Sequence, residues 1–263
     1  MCLLLLAINQ HPDYPLIFCG NRDEFYDRPA ADAHYWGEDG QLFGGRDLEK
    51  GGTWLGLTRS GRFAAVTNVR EAAAGTASAT ESRGKIVTDF LCSTVSGADY
   101  SRQLLKKNAL YQGYNAVFGV ENELYYASNR ANESGKLPDG IHVLSNASLN
   151  TPWPKTEQLK TSITALLKDN RQPVDRWLEA IFDSLRDDRP YPDEMLPETG
   201  VDLERERRLS PIFIKGEKYG TRASTIVLMN RSRKFRFLEQ TYGPFGQKKT
   251  RTDKQIFRRN PER

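Results

Sequence analysis

Along the first 70 positions, apolar residues fall in short runs separated by turn-forming clusters. Cys2–Ala7 is one run, closed by the polar stretch Asn9–Asp13, and Leu16–Gly20 is the next. Neither run alternates with polar residues, so the pair predicts a β-hairpin with strands buried on both faces. Gly44-Gly45 and Gly51-Gly52 predict a loop. Thr53–Thr58 and Arg62–Val69 flank the turn Arg59-Ser60-Gly61 and predict a second hairpin. Residues 71–82 are small and polar and predict a surface loop. The period then turns helical, with Ile86, Val87, Phe90 and Leu91 on one face, and a further helix is predicted over Asp99–Leu110. Tyr114–Val120, Leu124–Ser128 and Ile141–Ser145 return to strand. Lys155–Leu167 and Pro173–Leu185 predict a pair of helices, the second opened by its proline. Residues 187–211, rich in charge and proline, predict an exposed excursion. Ile212–Ile214, Thr221–Met229 and Lys234–Gln240 close the chain as strands.

This order lacks the strict strand–helix alternation of a parallel sheet. It predicts an α+β chain in which two mainly antiparallel sheets pack together under helices, as one domain over residues 1–244. The longest apolar run near the start, Leu3–Ile8, is too short for a membrane helix. No basic residue precedes it, as one would in a secretory signal, so a cytoplasmic protein is expected. Lys and Arg number 38 against 34 Asp and Glu, a net charge of +4. Residues 245–263 hold seven basic and two acidic residues, so this tail carries +5 and the remainder −1. The tail is therefore expected to be a flexible basic appendage, and nucleic-acid binding by the domain is disfavoured. The three cysteines form no CxxC pair and the three histidines lie far apart, so neither a disulfide framework nor a metal site is expected.

Cys2 carries the most chemistry. With the initiator methionine removed, it would hold a thiol and a free α-amine on one residue. Their reference pKa values, ~8.5 and ~7.7–8.0, let the amine take the thiol proton near neutral pH. Asn21-Arg22-Asp23-Glu24 follows the second apolar run, and the hairpin returns it toward Cys2. It is either a site or a charged turn. Arg22 beside the thiol would favour thiolate, and Asp23 or Glu24 would orient the amine. Thr221-Arg222 opens a strand and suits an anion contact or a solvated edge. Asn146 ends another strand, as an oxyanion donor or a turn cap. Trp54 is a candidate pocket wall. Ser82-Arg83-Gly84 precedes a helix, as an anion site or a cap.

Together these segments resemble the NRDE family, also known for transport and Golgi organization protein 2. The resemblance runs through Met1-Cys2, Cys19-Gly20-Asn21-Arg22-Asp23-Glu24-Phe25, Gly45-Arg46-Asp47, Gly51-Gly52-Thr53-Trp54-Leu55-Gly56 and Thr67-Asn68-Val69-Arg70. It continues in Ser82-Arg83-Gly84, Leu144-Ser145-Asn146, Thr151-Pro152-Trp153-Pro154 and Tyr219-Gly220-Thr221-Arg222. It implies the N-terminal nucleophile hydrolase superfamily and its four-layer αββα sandwich. Similarity within that superfamily is greatest to the cysteine branch, which includes choloylglycine hydrolases and penicillin V acylase. By that resemblance Cys2 is the nucleophile, Arg22 and Asp23 sit at the end of the second strand, and Asn146 and Arg222 take the later positions. Asn68 is a candidate oxyanion donor, and Asn21, Glu24, Trp54 and Thr221 are candidate substrate contacts. One departure is that Arg22 immediately precedes Asp23, where the hydrolases separate the two by two or three positions.

Two functions are thereby expected. One is an N-terminal cysteine hydrolase of small-molecule amides or acyl thioesters, requiring no cofactor. The other is a binding or trafficking protein for haem, acyl-CoA or lipid, as the family's roles in Golgi organisation and secretion imply. A haem would attach through Cys2 or a His, although no CxxCH motif is present.

Overall fold

The first two apolar runs form β1 (Cys2–Ile8) and β2 (Leu16–Phe25) in a computed structural model that describes residues 2–71, 80–169 and 173–256. The chain continues through β3 (Ala30–Trp36), β4 (Leu42–Asp47), β5 (Leu55–Thr58), β6 (Arg62–Asn68), α1 (Arg83–Leu91) and α2 (Gly97–Lys106). Next come β7 (Tyr114–Val120), β8 (Glu123–Ser128), β9 (Glu133–Lys136), β10 (Gly140–Leu144), α3 (Pro154–Lys168) and α4 (Val174–Leu185). The last elements are α5 (Leu203–Leu209), β11 (Tyr219–Met229), β12 (Phe235–Tyr242) and β13 (Lys248–Ile256). The strands make two sheets in the orders β10-β1-β2-β11-β12-β13 and β3-β4-β5-β6-β7-β8-β9. Neighbouring strands in both run antiparallel.

Side-chain alternation explains the four layers. Leu4, Leu6, Ile8 and Phe18 point inward from the first sheet and meet Phe43, Leu57 and Phe63 of the second. Leu3, Leu5, Ile17 and Cys19 point outward and pack on Leu159 and Ile163 of α3 and Trp177 and Ile181 of α4. On the far side, Ala64, Val66 and Phe118 receive Ile86, Val87 and Phe90 of α1 and Tyr100 of α2. This is the α+β sandwich of antiparallel sheets under helices that the order of elements predicts. No helix among the described residues is long and apolar enough to cross a membrane.

Several local expectations are corrected. Residues 248–256 of the basic tail are the edge strand β13, paired along β12 from Tyr242↔Lys248 to Phe235↔Ile256, and Ile256 is buried. Lys248, Lys249, Arg251 and Lys254 suit an edge, because charge there discourages pairing with other chains; residues 257–263 lie outside the described residues. Gly44-Gly45 lies within β4, where a Cβ on Gly44 would sit 2.5 Å from the Leu55 carbonyl oxygen. The glycine marks a close approach of two strands rather than a loop. Ile212–Ile214 is not a strand: the Ile212 carbonyl accepts from Asn21 Nδ2, and the Ile214 amide donates to Thr221 Oγ1. The excursion over 187–211 contains α5, whose Glu206 is buried. Most of the loop expected over 71–82 lies outside the described residues.

Candidate active site

The same alternation decides which polar side chains meet. Cys2 shares the inward face of β1 with Leu4 and Leu6. It is the register partner of Arg22, Arg22 of Ala223, and Ala223 of Thr241. These four residues, one from each of four adjacent strands, line a single cavity of about 570 Å³ between the sheets. At ~4.8 Å between strands, the row spans roughly 14 Å.

Arg22 and Asp23 are adjacent and so leave the strand on opposite faces. Arg22 turns into the cavity with Cys2. Asp23 touches the cavity wall, but its carboxylate accepts from Thr221 Oγ1 at 2.7 Å on the helix-facing side. Burial raises the Asp23 pKa above the usual carboxylate range, against the pull of Lys155 and of the Thr221 hydrogen bond. A β-bulge between Thr221 and Ala223 makes Arg222 the extra residue of β11. Bulges re-aim side chains beside functional sites. Here the bulge sends Arg222 to the cavity, where Nη1 donates to the carbonyls of Phe25 at 3.0 Å and Arg28 at 2.5 Å. Glu24 and Trp54 also line the cavity. Glu24 accepts from the Phe25 amide at 2.9 Å and lies 3.9 Å from Arg22, and Trp54 packs on Phe18.

Asn68, at the end of β6, lines the cavity, whereas Asn146 lies one step behind it. Asn146 Nδ2 donates at 3.0 Å to both the backbone oxygen and Oδ1 of Asn68. Asn146 therefore orients Asn68, whose own Nδ2 makes only a 3.4 Å contact with the Val69 carbonyl. Two expected substrate contacts are corrected. Asn21 is fully buried, donating to the Leu185 and Ile212 carbonyls and accepting from Ser224. Thr221 is spent between the Ile214 amide and Asp23. Both lie on outward positions of their strands, where side chains tie the sheet to the helix layer.

Burial pushes the Cys2 thiol up to about 11, with Arg22 opposing it. At rest the thiol is protonated and needs a base. Two further groups line the cavity, Arg83 and Glu239, and of these only Glu239 has no role in the sequence reading. Arg83, the first residue of α1, follows Ser82, whose Oγ accepts from the Gly84 amide at 3.3 Å, so the segment is a cap. Its position is fixed by glycine: a Cβ on Gly52 would lie 2.7 Å from the Gly84 carbonyl carbon. The Gly51-Gly52 and Ser82-Arg83-Gly84 segments are thus two halves of one backbone contact that sets Arg83 in the cavity wall. The other group is Glu239 of β12, raised to about 7 by burial against hydrogen bonds from the Ala33 amide and Thr225. A lone acid directly after the apolar end of the run Phe235–Leu238 is the signal that marks it.

The cavity carries a local cationic excess. Arg28 is held by Asp47 at 2.8 Å and Glu49 at 3.3 Å. Arg22, Arg83 and Arg222 instead share Glu24 as the carboxylate common to their surroundings. Among the described residues, no group of three or more His, Cys, Asp or Glu side chains is placed to hold a metal ion.

Comparison with known proteins bears on the fold and the family. The structure is similar to a mutant of the conjugated bile acid hydrolase from Clostridium perfringens, with a TM-score of 0.53 over 99% of this chain and 94% of that one. At 8% identity this shows the fold alone. Transport and Golgi organization protein 2 homologs from Bos taurus and Homo sapiens are each 29% identical, covering 92% of this chain and 93% of their own. The family model described as Transport and Golgi organisation 2 matches residues 1–244. The chain belongs to the transport and Golgi organisation 2 family, on an N-terminal nucleophile hydrolase-like fold.

Proposed function

We propose that this protein is an N-terminal cysteine hydrolase acting on a small-molecule amide or acyl thioester that carries an anionic group. The observation behind the proposal is the single cavity that holds Cys2 beside Arg22, Asn68 and Arg222. Removal of Met1 puts the α-amine on Cys2. The thiol proton passes to that amine, and sulfur attacks the substrate carbonyl. Asn68 Nδ2, oriented by Asn146, donates to the oxyanion. Collapse releases the amine, protonated by the α-ammonium, or the thiol, and leaves an acyl group on Cys2. Water, deprotonated by the α-amine, then hydrolyses this thioester and restores the thiol. Arg83 and Arg222 offer planar multi-donor groups to the substrate's anion. The reading calls for no cofactor, and a cytoplasmic location fits three free cysteines.

Intact mass combined with acylation by p-nitrophenyl acetate tests the proposal. A chain lacking Met1, acylated in wild type and not in Cys2→Ala, is the expected result. A retained Met1 with no acyl adduct ends it.

A second reading is a binding or trafficking protein for haem, acyl-CoA or lipid, in keeping with the word transport in the relatives' names. For haem, the test is a titration followed at the Soret band. A shift that disappears in Cys2→Ala supports this reading, and no shift in either protein removes haem from it.

A further inference from the structure

Behind Cys2, on the helix-facing side of the first sheet, four ionisable side chains from four segments are sealed from water. Asp23 is 2% exposed, Glu206 of α5 3%, Lys155 of the first turn of α3 4%, and Arg70, just past β6, 8%. Arg70 Nη1 meets Glu206 Oε2 at 2.5 Å, and Thr199 donates to the other Glu206 oxygen. Lys155 Nζ donates to the Leu209 carbonyl at 3.0 Å. Arg70 Nε and Nη2 meet no acceptor among the described residues. Arg70 and Lys155 both lie against the Trp153 ring, at 5.0 and 5.8 Å, so two cations share one confined space. Glu206 answers Arg70. Asp23 and Lys155 lie close enough for each charge to act on the other.

Register sets this cluster beside the head of the chain. Because Cys2 pairs with Arg22, the backbone nitrogen of Cys2 leads toward the position opposite Asp23. We infer that Lys155 is a positioning residue for Cys2: from the opposite face of the sheet it holds Asp23 ionised, and Asp23 anchors the α-amine that takes the thiol proton. The inference rests on the hydrolase reading above.

Burial and the neighbouring Arg70 lower Lys155 to about 7, against the pull of Asp23, Glu206 and Cys2. Tyr219 of β11 and Tyr26, just past β2, are further titratable groups on which the Asp23 charge acts. Lys155 is therefore charged below about pH 7, where a buried carboxylate with a raised pKa most needs a cation. It loses that charge above about pH 7, so the support it gives Asp23 fades there.

The test is the pH profile of Cys2 acylation by p-nitrophenyl acetate in the full chain, with Cys2→Ala as the blank and intact mass locating the adduct. Lys155→Met is expected to lower the rate about tenfold at pH 6, the equivalent of one pKa unit, with the difference closing by pH 8.5. Lys155→Arg is expected to restore the pH 6 rate and to exceed wild type progressively as the pH rises. A folded Lys155→Met with the wild-type profile overturns the inference and leaves the nucleophile in place. A wild type that takes no acyl group on Cys2 overturns both. If Lys155→Met does not fold, Lys155→Arg decides alone: a constant ratio to wild type from pH 6 to 8.5 overturns the inference.

Discussion

Replacing Glu206 by glutamine removes one negative charge from the buried cluster with almost no change in shape. In the native protein the Arg70 and Glu206 side chains are each 4% exposed. Arg70 has no other carboxylate within hydrogen-bonding distance among the described residues, and two of its nitrogens already lack acceptors. The substitution leaves a buried guanidinium whose charge is uncompensated, and removing one partner of a buried pair costs about 3–5 kcal/mol. The amide oxygen of the substituted side chain can still accept one hydrogen bond from Arg70, so the lower end of that range, about 3 kcal/mol, is expected. For a domain of this size, that corresponds to a fall in Tm of roughly 6–12 °C. Urea unfolding gives the free energy directly, with the slope m unchanged if only the native state is affected. The double variant Arg70→Met/Glu206→Leu should recover most of the loss, because it removes both charges and fills the space with apolar atoms. A Glu206→Gln cost below about 1 kcal/mol, the worth of an exposed pair, would show that water reaches the cluster and refute the reasoning. The same variant removes a carboxylate that favours charged Lys155, so Cys2 acylation near pH 6 should fall with it.

Two further outcomes follow from burial. Glu239 is raised from 4.5 to about 7, so the folded state holds its proton more tightly than the unfolded chain. Its contribution to stability is full below about pH 4.5 and is lost as the pH rises through 7. Glu239→Gln should therefore match wild type at pH 4 and exceed it at pH 8 by up to about 3 kcal/mol, at ~1.4 kcal/mol per pKa unit; Tm measured at the two pH values checks this, and equal differences at both would refute it. Deleting residues 248–263 removes the strand partner of β12 and the buried Ile256. The loss should exceed the ~1.5–3 kcal/mol of one buried Ile, whereas a deletion variant with unchanged Tm would return the tail to a solvated appendage.

The hairpin of β1 and β2 is legible in the sequence because an apolar run without alternation has few resting places other than a strand buried on both faces. Helices α1, α3 and α4 are legible through their periodic apolar faces. β13 is not, because an edge strand exposes most of its side chains, and those of β13 carry no periodic apolar signal until Ile256. β4 hides behind glycines whose purpose, letting β5 pass close to Gly44, exists only once the strands are paired.

The site divides along the same line. The sequence by itself determines that a thiol begins the first strand, that Arg22 and Asp23 close the second, and that they face opposite ways. It also determines the family and, through it, the sandwich. Only the tertiary structure decides which face is the cavity. That choice puts Arg22 beside Cys2 and consigns Asn21 and Thr221 to the helix layer. It also moves Asn146 behind Asn68, carries Arg222 inward on a bulge, and gathers Arg70, Lys155 and Glu206 behind the site. Alternation is a local property of the chain, whereas the face that becomes a cavity depends on what packs against it, and those partners lie tens to hundreds of residues away.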